Sequence, residues 1–299
     1  MTHADAINWL KKAFTVTGHD GISAFYEVQT PLWQAPYPEV SGYCIPTLIK
    51  AGEEDIALRI SRWLRYQQMD DGPIPMGYHN SYIPFVFDTG QVLLGWQAAQ
   101  VLEPDPRTEE SIEKAVSWLK RSWETDRWIA KGIQEYSPTI NIRSVWPLQK
   151  HDPELADTII SHYLERLEPN GFPTKSDEQH PDEPLTHFVV YVARGFWECG
   201  VRGIAKKIML GLANLQTLSF PARVDHNWQP TSDEICNVAV AQAAVLWKKM
   251  GWLNAATRAQ EYLLHLDAPW GSNPTDGSYF AHSQISWCAK FIADALCDS

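Results

Sequence analysis

The sequence has few of the features that mark several common classes of protein. Its 299 residues contain no apolar run of the roughly 18–20 residues that cross a membrane, and its first segment lacks the pattern of a secretion signal. Lysine and arginine total 25 against 36 aspartate and glutamate, giving a net charge of −11. This balance argues against nucleic acid or an anionic membrane as the main partner. We therefore expect a cytoplasmic protein without membrane insertion.

Motifs for cofactors, metals and nucleophiles are also missing. The chain has no GxGxxG, GxxxxGK[ST] or GxSxG motif. Its five cysteines are widely spaced without a CxxC pair, and we predict free, buried thiols. Asp233, Cys236 and His282 are residue types that suit zinc, but no compact ligand motif joins them. We therefore predict no cofactor and no metal ion.

The chain does contain a regular internal repeat. Six apolar segments end at residues 52, 100, 150, 200, 251 and 297, so neighbouring ends lie 46–51 residues apart. Each of the first five is followed by a segment with apolar residues at i, i+3, i+4 and i+7, which predicts an outer amphipathic helix. The apolar segments lack this one-sided pattern and are predicted to be inner helices buried on every side.

Six inner and six outer helices predict an all-α fold, the closed (α/α)6 toroid, with residues 1–299 forming one domain. The amphipathic segment 5–14 supplies the sixth outer helix and is expected to pack beside the last inner one. An open helical solenoid is the alternative. The last apolar segment has no polar capping repeat after it, which favours the closed ring.

The first turns of the inner helices are expected to converge on one cavity. Glu39 and Asp88 begin neighbouring inner helices, whose axes about 8–10 Å apart would bring the two carboxyl groups to a separation suited to glycoside cleavage. Aromatic neighbours favour Glu39 as the acid with the raised pKa and Asp88 as the base or nucleophile. His187 would orient Asp88 or the substrate. Helix capping by Asp88 and core packing of His187 are the structural alternatives.

Aromatic and cationic side chains near the same turns are predicted to bind the substrate. Tryptophan suits the faces of sugar rings, whereas buried arginine or lysine needs an anionic partner, either on the substrate or in the pair Glu39 and Asp88. Glu135 and Tyr136 enter the same face before the third inner helix. The predicted binding residues are Trp33, Tyr43, Arg143, Trp146, Trp228, Trp270, Trp287 and Lys290.

Four stretches, PEVSGYCIPTLIKAG, VFDTGQVLLGW, DEPLTHFVVYVARGFWECG and WCAKFIADALC, resemble a bacterial family of terpenoid-cyclase-like α/α toroids found with surface-polysaccharide genes. This family is often labelled prenyltransferase/squalene-oxidase-like, and its architecture is similar to six-hairpin glycosidases and the helical domain of glucuronyl C5-epimerases. The third repeat departs from the family pattern and reads SPTINIRSVW. The resemblance implies shared positions lining the cavity: Glu39, Tyr43, Asp88, His187, Trp287 and Lys290.

These observations predict a carbohydrate-active enzyme that acts on a bacterial glycan or glycan precursor, with glycoside hydrolysis by paired carboxyl groups as the first hypothesis. One alternative is a uronate epimerase or lyase, in which His187 or Tyr43 removes the C5 proton and a cation neutralises the carboxylate. Another is terpenoid cyclase or prenyltransferase chemistry, although the chain has only MDDG in place of a DxDD-type cluster. A non-catalytic glycan-binding toroid is the third.

Overall fold

The computed structural model describes residues 1–78, 82–129, 138–272 and 277–297. Within these ranges, twelve α-helices alternate between inner and outer positions. The inner helices are α2 (Pro38–Lys50), α4 (Val86–Leu102), α6 (Ile142–Gln149), α8 (Thr186–Glu198), α10 (Asn237–Met250) and α12 (Ser286–Leu296). The outer helices are α1 (His3–Thr15), α3 (Glu54–Gln67), α5 (Pro106–Ser122), α7 (Pro153–Leu164), α9 (Arg202–Leu215) and α11 (Leu253–Leu264).

The inner helices form a closed ring. Each contacts the next in chain order, and α12 contacts α2. Each of the outer helices α3, α5, α7, α9 and α11 packs on the inner helix before it, while α1 packs on α12. The Met1 ammonium group donates hydrogen bonds to the carbonyl oxygens of Leu263 and Leu264, both at 3.1 Å, and so ties α1 to the end of α11. The predicted (α/α)6 toroid is therefore confirmed over the open solenoid.

The burial of each helix follows its sequence pattern. The outer helix α3 buries one stripe, formed by Ala57, Ile60, Ser61 and Leu64, and exposes charged residues elsewhere. The inner helix α10 is buried from Asn237 through Trp247 without interruption. An amphipathic helix needs to bury only its apolar face against the protein. A helix that is apolar all round is stable only when other parts of the protein bury it on every side. Among the described helices, none is both long and apolar enough to cross a membrane.

Short strands join the loops at the ring closure. Strand β1 (Phe25–Glu27) pairs antiparallel with β2 (Leu32–Trp33) and with β5 (Ser283–Ile285), in the order β2-β1-β5. Strands β3 (Trp123–Glu124) and β4 (Arg127–Trp128) form a separate antiparallel pair. Because β1 precedes α2 and β5 leads into α12, the three-stranded sheet connects the first and last inner helices.

Helices α2 and α4 approach each other closely through glycine. A Cβ atom placed on Gly95 would overlap the carbonyl oxygen of Gly42, and one placed on Gly42 would lie 2.7 Å from the Cα of Val92. Only a residue without a side chain allows the two backbones to touch in this way. This contact sets the distance between α2 and α4, the helices whose first turns carry Glu39 and Asp88.

We predict that Gly95→Ala lowers the free energy of unfolding by about 1–3 kcal/mol, since the added methyl group must push α2 and α4 apart. The matched control is Gly203→Ala, in the exposed first turn of α9, where an added Cβ meets nothing within 4 Å. This control should be neutral or stabilising, because alanine favours a helix over glycine by roughly 0.5–1 kcal/mol. Urea denaturation measures both; equal effects would contradict the close approach of the two helices.

Candidate active site

A cavity of about 380 Å³ opens where the inner helices begin, a volume within the usual range for small-molecule sites. Helices α2, α4, α8 and α12 contribute Glu39, Asp88, His187 and Trp287 to its wall. The structure therefore brings the three predicted catalytic residues together. Aromatic side chains form most of the remaining wall: Tyr37, Tyr43, Tyr78, Phe85, Phe87, Phe188, Tyr191, Tyr279 and Phe280.

Asp88 lies inside helix α4 and is not its cap. The helix begins at Val86 with Phe85 in the capping position, so the helix-capping interpretation of Asp88 is wrong. The carboxyl group is completely buried. Its Oδ2 accepts a hydrogen bond from the backbone N–H of Gly77 at 3.0 Å. Its Oδ1 is buried and has no hydrogen-bond partner among the described residues.

Glu39 and Asp88 influence each other's ionisation. Burial, followed by the charge of Glu39, holds the pKa of Asp88 well above its usual value, against the opposing Gly77 hydrogen bond. Burial also raises the pKa of Glu39, from 4.5 to about 7, but here the Tyr37 hydroxyl and the charge of Arg143 stabilise the carboxylate. Asp88 therefore holds its proton more firmly than Glu39. As Glu39 ionises near pH 7, its negative charge further favours the protonated form of Asp88.

His187 is a neutral imidazole in the opposite part of the ring. Its Nδ1 lies 3.1 Å from Oε1 of Gln242. An amide oxygen only accepts hydrogen bonds, so Nδ1 carries the proton and Nε2 keeps its lone pair. Burial lowers the pKa of His187 to about 3, which keeps the ring uncharged. The ring packs against Tyr191 and Tyr279, with centroids 4.6 Å and 5.6 Å away.

Trp287 joins two aromatic parts of the wall. Its indole Nε1 donates a hydrogen bond to the hydroxyl of Tyr279 at 3.0 Å. Its ring lies nearly perpendicular to those of Tyr37 and Phe280, with centroids 6.4 Å and 5.0 Å away. These edge-to-face contacts are favourable geometries for aromatic pairs. They fix the orientation of the indole and hence of the Tyr279 hydroxyl.

The two predicted cations lie behind the wall and do not line the cavity. Arg143 donates to Oε1 of Gln91 at 3.0 Å, and its guanidinium group lies 5.8 Å from the centroid of the Tyr191 ring. Lys290 forms an ion pair of 2.8 Å with Asp294, four residues later on α12. Each buried cation is thus held by a partner of its own. Neither makes a direct ion pair with Glu39 or Asp88, and neither lines the cavity.

Tryptophans predicted to bind sugar pack against the protein instead. Trp33 lies 5.1 Å from the ring of Trp9, and Trp228 packs edge-on against Phe172 with centroids 5.4 Å apart. The indole of Trp270 is hydrogen-bonded to an aspartate in its own loop at 2.9 Å. The predicted tryptophans that do not line the cavity are Trp33, Trp146, Trp228 and Trp270.

Sequence reasoning assigned no role to several residues of the wall. Tyr191 lies four residues after His187 and therefore on the same helix face, a spacing that could have identified it. A polar loop also reaches the cavity through residues 176–179. Its Asp177 accepts from the backbone N–H of Leu185 at 3.1 Å and pairs with Arg223 at 3.5 Å, which anchors the loop.

Two earlier candidates lie outside the described residues: Glu135 and Tyr136.

Asp233, Cys236 and His282, whose residue types suit zinc, do not form a ligand set in the described ranges. In the part of the chain that the structure describes, no three His, Cys, Asp or Glu side chains are placed to hold one ion. Cys236 immediately precedes helix α10, and burial raises the pKa of its thiol to about 12. All five cysteines are free, and all but the half-buried Cys297 are buried. The prediction of free thiols is therefore confirmed.

Comparison with known proteins establishes the fold. No family model matches the chain, and no curated protein is similar to it in sequence. An α-amylase from Clostridium perfringens is 12% identical with a TM-score of 0.76, over 99% of this chain and 97% of that one. A cellobiose 2-epimerase from Bacillus thermoamylovorans is 9% identical with a TM-score of 0.71, over 98% of both chains.

A third structure, an unsaturated glucuronyl hydrolase from a Bacillus species, is 14% identical with a TM-score of 0.68, over 98% of this chain and 94% of that one. At these identities the likeness concerns the backbone fold alone. The protein thus has the (α/α)6 toroid of these glycosidase-like structures, and the predicted similarity to six-hairpin toroids is confirmed at that level.

We predict that the buried Glu39 makes stability fall as the pH rises. Its folded-state pKa lies near 7 and its ordinary value at 4.5, so the folded protein binds the extra proton between these values. Between about pH 5 and pH 8 the wild type should lose about 2 kcal/mol of unfolding free energy relative to Glu39→Gln. Urea denaturation at both pH values measures this difference.

The matched control for this experiment is Glu113→Gln, on the exposed face of α5. The pH dependence of its stability should run parallel to that of the wild type. If Glu39→Gln also runs parallel, the carboxyl group of Glu39 is not desolvated as described.

Proposed function

We propose that the protein is a carbohydrate-processing enzyme that hydrolyses a glycosidic bond of a bacterial glycan or glycan precursor. The observation that carries this proposal is the pair Glu39 and Asp88, which line one aromatic cavity and whose pKa values are both raised by burial. Glycoside hydrolysis requires one protonated and one ionised carboxyl group beside the scissile bond. The structural neighbours, an amylase, an epimerase and a glucuronyl hydrolase, support a sugar substrate.

We assign the acid to Asp88 and the carboxylate to Glu39. The aromatic neighbours of Glu39 predicted the reverse assignment. Asp88 is the more deeply buried group and has the charge of Glu39 beside it, so its proton is held more firmly. Tyr37 and Arg143 both favour the ionised form of Glu39. The environments of the two groups therefore separate their roles.

In this mechanism Asp88 donates its proton to the glycosidic oxygen as the bond to the anomeric carbon breaks. Glu39 either activates a water molecule or attacks the anomeric carbon itself, and water then completes the reaction. In both routes the leaving sugar gains a hydrogen atom and the anomeric carbon gains the hydroxyl of water. The aromatic wall provides apolar faces that suit the C–H faces of a sugar ring.

The charge of the wall favours a neutral sugar over a uronate. Among the described residues that line the cavity there is no lysine or arginine, whereas Glu39, Asp88, Asp177 and Glu178 are acidic. A uronate carboxylate would have no cation to neutralise it there. Terpenoid chemistry is also less well supported, since carboxyl and hydroxyl groups line the space that a hydrocarbon would occupy.

Sugar epimerisation is a second candidate because of one observation. His187 lines the cavity with an unprotonated Nε2, the atom that would accept a proton from a sugar carbon, and burial makes it a weak base for that step by lowering its pKa to about 3. Product analysis separates the two activities. Hydrolysis creates a new reducing end for each bond cleaved, whereas epimerisation changes a stereocentre and cleaves nothing.

We predict that Glu39→Gln and Asp88→Asn each lower kcat for glycoside hydrolysis by at least about 100-fold, since each removes one of the two proton-handling groups. Turnover is measured as reducing ends released from a panel of neutral oligosaccharides. Both amides keep the shape of the carboxyl group, and the amide oxygen introduced by Asp88→Asn could still accept from Gly77. The variants should therefore still be stabilised by the same oligosaccharide in thermal melts.

Glu113→Gln again serves as the control and should keep wild-type turnover. Wild-type turnover in both Glu39→Gln and Asp88→Asn would overturn the hydrolase proposal. Loss of activity in His187→Ala, with a changed stereocentre and no new reducing ends from the wild type, would favour the epimerase instead.

A further inference from the structure

We infer that Tyr279 and His187 form a donor–acceptor pair that binds two adjacent hydroxyl groups of the substrate sugar, and that Trp287 positions Tyr279 for this contact. The inference rests on the proposed function, because it assumes that a sugar occupies the cavity. It concerns recognition of the sugar ring, and is separate from the bond-breaking roles of Glu39 and Asp88.

Tyr279 is the donor of the pair. The indole N–H of Trp287 can only donate, so the Tyr279 hydroxyl is the acceptor in their 3.0 Å hydrogen bond. That leaves the hydroxyl hydrogen free to be donated in turn. No described residue accepts it, and Tyr279 lines the cavity. Burial also raises the pKa of Tyr279, so the hydroxyl keeps its proton throughout the physiological pH range.

His187 is the acceptor. Gln242 occupies its Nδ1–H at 3.1 Å, and Nε2 has no hydrogen-bond partner among the described residues. Because the imidazole is neutral, Nε2 can accept a hydrogen bond from a ligand but cannot donate one. The adjoining aromatic ring on the next turn of α8, Tyr191, packs against the imidazole at 4.6 Å and limits its rotation.

The two groups lie close enough to bind one ring. The centroids of His187 and Tyr279 are 5.6 Å apart, with the planes tilted by 48°. Adjacent sugar hydroxyls can each donate and accept, so one can donate to Nε2 of His187 while the next accepts from Tyr279. In the ring order, α8 lies three places from α2 and hence across the cavity from Glu39. The pair can therefore hold a sugar ring whose glycosidic bond faces the carboxyl groups.

A sugar that lacks one of these hydroxyls leaves a buried polar atom of the protein unpaired. Such sites reject the deoxygenated analogue strongly, because the protein group has lost water without gaining a partner. We therefore expect the enzyme to discriminate between its parent substrate and the two corresponding monodeoxy analogues. We expect little discrimination between the parent and analogues that lack a hydroxyl at ring positions facing only the aromatic wall.

The test is Tyr279→Phe, which removes one hydroxyl and keeps the ring. The parent substrate is the neutral oligosaccharide that binds best among cello- and malto-oligosaccharides. For this substrate kcat/KM should fall about tenfold, mainly through KM, because one hydrogen bond to bound sugar is lost. The preference for the parent over the analogue that lacks the hydroxyl bound by Tyr279 should disappear. The preference over the analogue that lacks the hydroxyl bound by His187 should remain.

Two further variants separate recognition from structure. Tyr66→Phe makes the same chemical change at an exposed position on α3 and should alter nothing. Trp287→Phe removes the indole N–H, so it should weaken the same discrimination while Tyr279 is still present. A purely structural role of Tyr279 would lower stability and leave the ratio of parent to deoxy analogue unchanged, which would overturn the inference.

The experiment also works if the bound sugar is not hydrolysed. Calorimetry with Glu39→Gln, combined with Tyr279→Phe, measures the same affinities without turnover. Binding with the expected loss of discrimination supports the pair even where hydrolysis fails. Equal affinities for parent and analogues, or no binding by any cello- or malto-oligosaccharide, would overturn the inference.

Discussion

The burial of two carboxyl groups in one cavity is the constraint on which the site depends. Glycine contacts bring α2 and α4 together, and the first turns of these helices carry Glu39 and Asp88. Two desolvated carboxyl groups beside each other cannot both ionise at neutral pH without a large cost. The protein offsets that cost at Glu39 through Tyr37 and Arg143, whereas the ionised form of Asp88 gains only the Gly77 hydrogen bond and faces the charge of Glu39. The chemical difference between two similar side chains therefore comes from their surroundings.

The buried cations have a part in the same balance. Arg143 is bound to Gln91 and Lys290 to Asp294, behind the aromatic wall. From there Arg143 still favours the ionised form of Glu39, yet no positive charge of the described residues reaches the wall itself. In this arrangement the charge of Arg143 stabilises the Glu39 carboxylate, while the wall keeps a surface that suits an uncharged sugar ring. It also explains why polar residues occur in otherwise apolar inner helices.

Much of the fold could be predicted because it follows from local patterns. The repeat of apolar and amphipathic segments fixes the number and order of the helices, and helix direction then brings Glu39, Asp88 and His187 to one face. Side-chain direction in loops does not follow from such patterns. Trp228, for example, has a positive φ of 60° and turns onto Phe172. The order of the two carboxyl pKa values depends on burial depth and on the contacts of Glu39 with Tyr37 and Arg143, which no spacing in the sequence reveals.

The most direct test of the account is a titration of the two carboxyl groups themselves. Carbon-13 NMR of protein labelled at the aspartate and glutamate carboxyl carbons follows each group, and Glu39→Gln and Asp88→Asn assign the two signals. The account predicts that Glu39 ionises near pH 7 and that Asp88 is still protonated when it does. Two signals that both show ionised carboxylates at about pH 5, close to ordinary carboxyl behaviour, would contradict it.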